Sequence, residues 1–186
     1  MNRNLLIVLT LSSLYLASCT KKTESKDIIV PPPVEEVKKG TQMMPQTKQN
    51  HEIEWLGNKY KIAIVRSVNK ELPKVSDENG VEYFDNEITV RITRRDGSDF
   101  INRIFRKSDF GNRISGTGFE DKGALLGIVY DKIENNKLVF AISVGSPEIS
   151  SDEFFPFIMY IDRNGEISTA IDTRMDTNIE DEDEGV

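Results

Sequence analysis

Cys19 is the only cysteine of the 186-residue chain, and it directly follows the small residues Ala17 and Ser18. Ahead of these lie Arg3 and an apolar run over 5–14. A basic residue, about ten apolar residues and small residues before a cut site make up a secretory signal. Spanning a bilayer takes about twenty apolar residues, and Thr10, Ser12, Ser13 and Ser18 break this run. With no second cysteine, neither a disulfide nor a set of thiolate ligands can hold the fold. His51 is likewise the only histidine, and a nucleophile–base pair of the Ser–His or Cys–His type would need it. It stands at the start of a strand pattern, where a solvated imidazole is expected. Two carboxylates roughly 5–9.5 Å apart across a cleft would serve glycoside hydrolysis. Asp121, Asp131, Glu134, Asp152 and Glu153 fall at strand ends and in loops, where charges are solvated. No catalytic, metal-binding or cofactor-binding residue is therefore assigned.

The densest cationic cluster surrounds Asp96-Gly97, with Arg91, Arg94, Arg95, Arg103 and Arg106. Its chemistry depends on strand register, because a slip of one residue turns every side chain to the other face. A two-residue turn pairs Ile92 with Ile101 and sets Arg103 on the apolar face beside Val90. Arg103 would then be a candidate anion-binding residue in a cavity. A type I turn with Gly97 as a bulge pairs Ile92 with Phe100 and Val90 with Asn102, leaving the arginines outside. The bulged register makes the cleaner core and is the expected one.

The elements that must carry these residues are strands. Segments 52–56 and 59–66 flank Gly57-Asn58, and 87–95 and 98–107 flank Asp96-Gly97. Segments 125–133 and 137–144 flank Asn135-Asn136, and 155–162 and 166–171 flank Asn164-Gly165. Glycine and asparagine tolerate the positive φ that tight hairpin turns require. Eight strands in four hairpins follow, with a helical turn near 108–112 and a long loop over 72–84. The later strands are apolar on both faces and so need cover on both sides. The expected fold is all-β, an antiparallel barrel or a two-layer sandwich. Trp55 alternates with Ile53 and is expected in its core.

Composition divides the chain into a signal at 1–18, a polar, proline-bearing tether at 19–50, a β domain at 51–175 and an acidic, disordered tail at 176–186. The tether lacks the apolar content to offset the entropy of ordering. Glu180, Asp181, Glu182, Asp183 and Glu184 supply five of the seven net negative charges. The remaining body is near balance, which argues against nucleic acid as a partner.

The stretch Leu16-Ala17-Ser18-Cys19 resembles the lipobox of bacterial lipoproteins. That resemblance implies cleavage before Cys19, acylation of its thiol (palmitate is the expected modification) and membrane attachment. Further along, Trp55-Leu56-Gly57-Asn58-Lys59-Tyr60, Gly80 to Asp85-Asn86, Arg95-Asp96-Gly97-Ser98, Phe105 to Phe110 and Phe154 to Phe157 follow in order. Together they resemble an uncharacterised family of Bacteroidetes lipoproteins, a domain of unknown function. The resemblance implies an envelope lipoprotein with a mostly β domain, and Thr20 after Cys19 favours the outer membrane by analogy. The expected function is non-catalytic binding of an envelope protein or small ligand. The alternatives are a carboxylate-based glycan hydrolase and a structural accessory subunit of an outer-membrane complex.

Overall fold

Alternating apolar residues and hairpin turns fold into two four-stranded antiparallel sheets. A computed structural model describes residues 40–172. The signal, Cys19, most of the tether and the acidic tail lie outside the described residues. The elements are β1 (Gln42–Met43), β2 (Thr47–Trp55), β3 (Asn58–Val68), β4 (Val75–Ser76), β5 (Glu82–Phe84), β6 (Asn86–Arg94) and β7 (Asp99–Arg106). A 3-10 turn (Lys107–Phe110) leads into the short helix α1 (Gly111–Ile114). The chain then forms β8 (Ala124–Glu134), β9 (Lys137–Gly145), β10 (Phe154–Ile161) and β11 (Ile167–Ile171).

The first large sheet has the order β2-β3-β6-β7, and the second has the order β11-β10-β9-β8. All four expected hairpins are present, but the first turns at Leu56-Gly57 rather than at Gly57-Asn58, with Trp55 paired to Asn58. The fold is a β sandwich, with no closed barrel among the described residues. A third, small sheet of order β1-β5-β4 was not anticipated. β4 and β5 occupy the segment expected to be a loop. Strands also begin ahead of the expected boundary at His51, with β2 starting at Thr47 and β1 at Gln42.

The inward positions of the two large sheets meet in one core. Trp55, Ile62, Ile92 and Phe105 face Leu138, Phe140, Phe157 and Met159, and all are nearly or wholly buried. Fully burying a side chain of this size contributes about 1.5–3 kcal/mol, so the core can hold the fold without a covalent staple. Trp55 is there as expected, its indole N–H donating to the Asn136 carbonyl at 3.2 Å. The second sheet is apolar on its outer side as well. Val129, Ala141, Ile158 and Ala170 lie side by side across its four strands. At one end of that side the small sheet covers Ala124, through Met44 and Val75.

The β6–β7 hairpin corrects the expected register. The Gly97 turn forms, with Gly97 at φ 85° and the Arg94 N–H donating to the Ser98 carbonyl at 2.9 Å. Thr93 pairs with Asp99 as that turn demands, but Phe100 then bulges, so Ile92 pairs with Ile101 and Val90 with Arg103. Phe100 is drawn in by aromatic partners, with Trp55 at 5.4 Å and Tyr60 at 5.8 Å. Among the described residues β7 is an edge strand, with no strand on its outer side to resist the bulge.

His51 also departs from expectation. It lies mid-strand in β2, half-buried, its ring 5.2 Å from that of Tyr130. Its Nε2 atom is buried and finds no hydrogen-bond partner among the described residues. A buried polar atom without a partner destabilises a fold by about 1–3 kcal/mol. His51→Phe keeps the ring contact and removes that atom, so its urea midpoint is expected to rise by the equivalent of about 1 kcal/mol at unchanged m. A lower midpoint would show that the imidazole does have a partner.

Candidate functional site

The cleft of interest forms where the chain passes between sheets. β7 ends at Arg106, whose backbone N–H donates to the Asp109 carboxylate at 2.8 Å. This cap starts the 3-10 turn and projects Lys107 from its first position. Lys107 Nζ donates to the Gly123 carbonyl at 2.7 Å. Gly123 has no room for a side chain, since a Cβ there would lie 2.8 Å from the Phe119 carbonyl oxygen.

Asp85 occupies the single position between β5 and β6, joining the small sheet to the first large one. The residue is only 3% exposed. The carboxylate accepts the Leu125 N–H of β8 at 2.9 Å and the Asn86 N–H at 2.7 Å. Asn86 extends the junction, donating to the Leu125 carbonyl at 2.9 Å. Three sheets are thus tied through one Asp-Asn pair.

Asp85, Arg106, Lys107, Ser108, Glu120 and Asp121 line a cleft of about 300 Å³, with Leu72, Pro73 and Ile114 as its apolar wall. Burial pushes the Asp85 carboxyl above its ordinary pKa, against the opposing pull of its two N–H donors and the Lys107 charge. Burial pushes the Lys107 amine down, while Asp85, Asp121 and Glu120 pull it back up. These two groups do not form an ion pair with each other within 4 Å, so each stays only partly compensated. Glu120 is different: hydrogen bonds from the backbone of its own turn, including the Gly116 N–H, hold its carboxyl below the usual range. A small cleft that holds groups of both signs, two of them shifted toward neutrality, suits binding of a charged small molecule.

Of the carboxylates considered from sequence, Asp121 alone lines this cleft. Asp131 sits at a bulge of β8, Glu134 pairs with Lys132 at 2.7 Å, and Asp152 and Glu153 are exposed in the loop before β10. They do not gather into one site. Arg103 shares a face with the core residue Val90 but is exposed at the sandwich rim, its guanidinium 5.1 Å from the Phe105 ring. It does not line the cleft.

Sequence reading passed over Asp85 and Lys107. Their signal was present but slight: Asp85-Asn86 is a polar pair wedged between Tyr83-Phe84 and the alternating apolar run from Ile88. A second depression, of about 360 Å³, opens on the outside of the first sheet around Glu52, Lys59, Lys61 and Arg94. Its Lys61–Glu52 ion pair is mostly in solvent, where such pairs are screened and contribute little. It therefore lacks the desolvated groups of the Asp85 cleft.

The family model described as a domain of unknown function (DUF4738) matches residues 32–169. No curated protein matches the chain.

Proposed function

We propose, for a chain that belongs to the DUF4738 family of domains of unknown function, a role as a lipid-anchored, non-catalytic binding module of the cell envelope. The anchor is Cys19, acylated after removal of residues 1–18 as the lipobox resemblance implies, with the outer membrane as the site of attachment. The ligand is a small zwitterion. The observation that carries this reading is the pairing of Asp85 with Lys107 in one cleft, both desolvated and neither neutralised by direct contact. A ligand ammonium would satisfy the acidic side of the cleft, and a ligand carboxylate would lie against Lys107 and Arg106. Leu72, Pro73 and Ile114 would exclude water from these contacts and strengthen them.

Glycine, glutamate and alanyl-alanine can be titrated into the uniformly labelled chain and followed by NMR. The expected shifts cluster at 72–73, 85, 106–111 and 120–123, and disappear in Lys107→Met. Shifts scattered over the surface, or shifts that persist in the variant, would defeat the proposal.

A further inference from the structure

β7 and β11 are edge strands of the two large sheets, and the approach of the β10–β11 turn to Ile101 places them on the same side of the sandwich, along the seam between the sheets. One end is closed by the β10–β11 turn, where a Cβ on Gly165 would sit 3.4 Å from Ile101 Cδ1. The other end is plugged by α1, whose Arg113 donates to the Thr169 carbonyl at 2.5 Å and to the Thr169 hydroxyl at 2.8 Å. Between these ends, the inward register of β7 brings Arg103 to the rim beside Phe105.

The seam is cationic. Arg103 and Arg163 are exposed and make no ion pair among the described residues, and Arg113 uses its donors on Thr169 rather than on a carboxylate. Two of the carboxylates near them are engaged elsewhere. Asp99 pairs with Arg91 at 2.7 Å, and Asp162 accepts the Asn164 and Glu166 N–H groups of its own turn. The seam is also partly apolar, since Ile171, on the core-facing register of β11, is 54% exposed.

The chain continues from β11 itself. Beyond Asp172 come fourteen residues, with Met175 and Ile179 ahead of the acidic run at 180–184. Glu180 lies eight positions beyond Asp172, and fully extended those eight steps span at most about 26–29 Å. This length reaches back along a seam whose far end is marked by the turn after β10. We propose that the segment 173–186 of this same chain docks on the β7–β11 seam, its acidic run facing Arg103 and Arg163. Met175 or Ile179 would then cover Ile171. The segment would shield two unpaired arginines.

A nitroxide on Gly185→Cys, in the full chain carrying Cys19→Ser, tests this by paramagnetic broadening of amide signals. At about 20 mM salt, where charges act over about 20 Å, amides at 101–105, 163 and 167–171 are expected to broaden. Raising salt to about 500 mM should remove more than half of that effect, and so should Arg103→Gln with Arg163→Gln at low salt. The double variant replaces exposed side chains outside the cleft, and unchanged amide shifts in the core would confirm its fold. The proposal fails if the seam amides stay sharp at low salt, if broadening survives both treatments, or if it centres on 120–123 beside Lys107.

Discussion

Asp85→Ala is expected to destabilise the domain by about 2–6 kcal/mol, because it leaves two buried N–H groups without an acceptor, each costing about 1–3 kcal/mol. Those donors belong to Asn86 and to Leu125 of β8, so the loss falls on the joint of all three sheets. Asp85→Asn separates hydrogen bonding from charge, since the amide oxygen can still accept both bonds. The wild-type carboxyl has its pKa raised from 3.8 by burial. The folded state therefore holds the proton more tightly than the unfolded state does. This contribution to stability is greatest below the unfolded value and declines as pH rises through the folded value. Urea unfolding of wild type and Asp85→Asn across pH 3 to 8 should show the asparagine variant gaining relative stability as pH rises from about 3.8, then levelling off. A gap that is flat with pH would mean that Asp85 titrates alike in both states. An alanine variant as stable as the asparagine variant would mean that the two N–H groups find other partners.

Cys19→Ser is expected to shift the chain from the membrane fraction to the soluble fraction. Each buried acyl CH₂ contributes about 0.8 kcal/mol to membrane binding, and stable anchoring takes more than one chain or signal. Losing the thiol removes the attachment point, so the change should be nearly complete rather than graded. Mass spectrometry of the wild-type chain should find residue 19 at the N-terminus with acyl mass added. Fractionation of cells expressing the variant should find a chain without that mass. A wild-type chain beginning at Met1 with a free thiol, or a variant still in the membrane fraction, would refute lipid anchoring. This test is independent of the cleft, since residues 1–18 and Cys19 lie far along the chain from the Asp85 junction.

The four hairpins were legible because their signals are local. Asn135-Asn136 adopts φ of 49° and 59°, and Gly97 adopts 85°, and few residue types take such conformations at low cost. The sandwich core was legible from period-two alternation, as at Ile88, Val90 and Ile92. The small sheet was not. Its strands are two or three residues long, and Gln42 pairs with Tyr83 across 41 positions of sequence. No local pattern announces so short and distant a pairing. Turn chemistry also correctly indicated the Gly97 bulge but missed the second one, because Phe100 answers to Trp55 and Tyr60 rather than to its neighbours in sequence.

The candidate site was the least legible part. Asp85 reads as one more loop carboxylate until Leu125, forty residues on, donates its N–H to it. Lys107 reads as a surface cation until its amine meets the Gly123 carbonyl in a partly buried position. The sequence alone determined the strand content, the hairpin turns, the apolar core and the single thiol behind a signal-like leader, since each rests on neighbours along the chain. Only the tertiary structure decided the register that brings Arg103 to the rim, the inward place of His51, and the meeting of Asp85 with Lys107. Desolvation and charge coupling depend on distances through space, and those distances exist only once the sheets have packed.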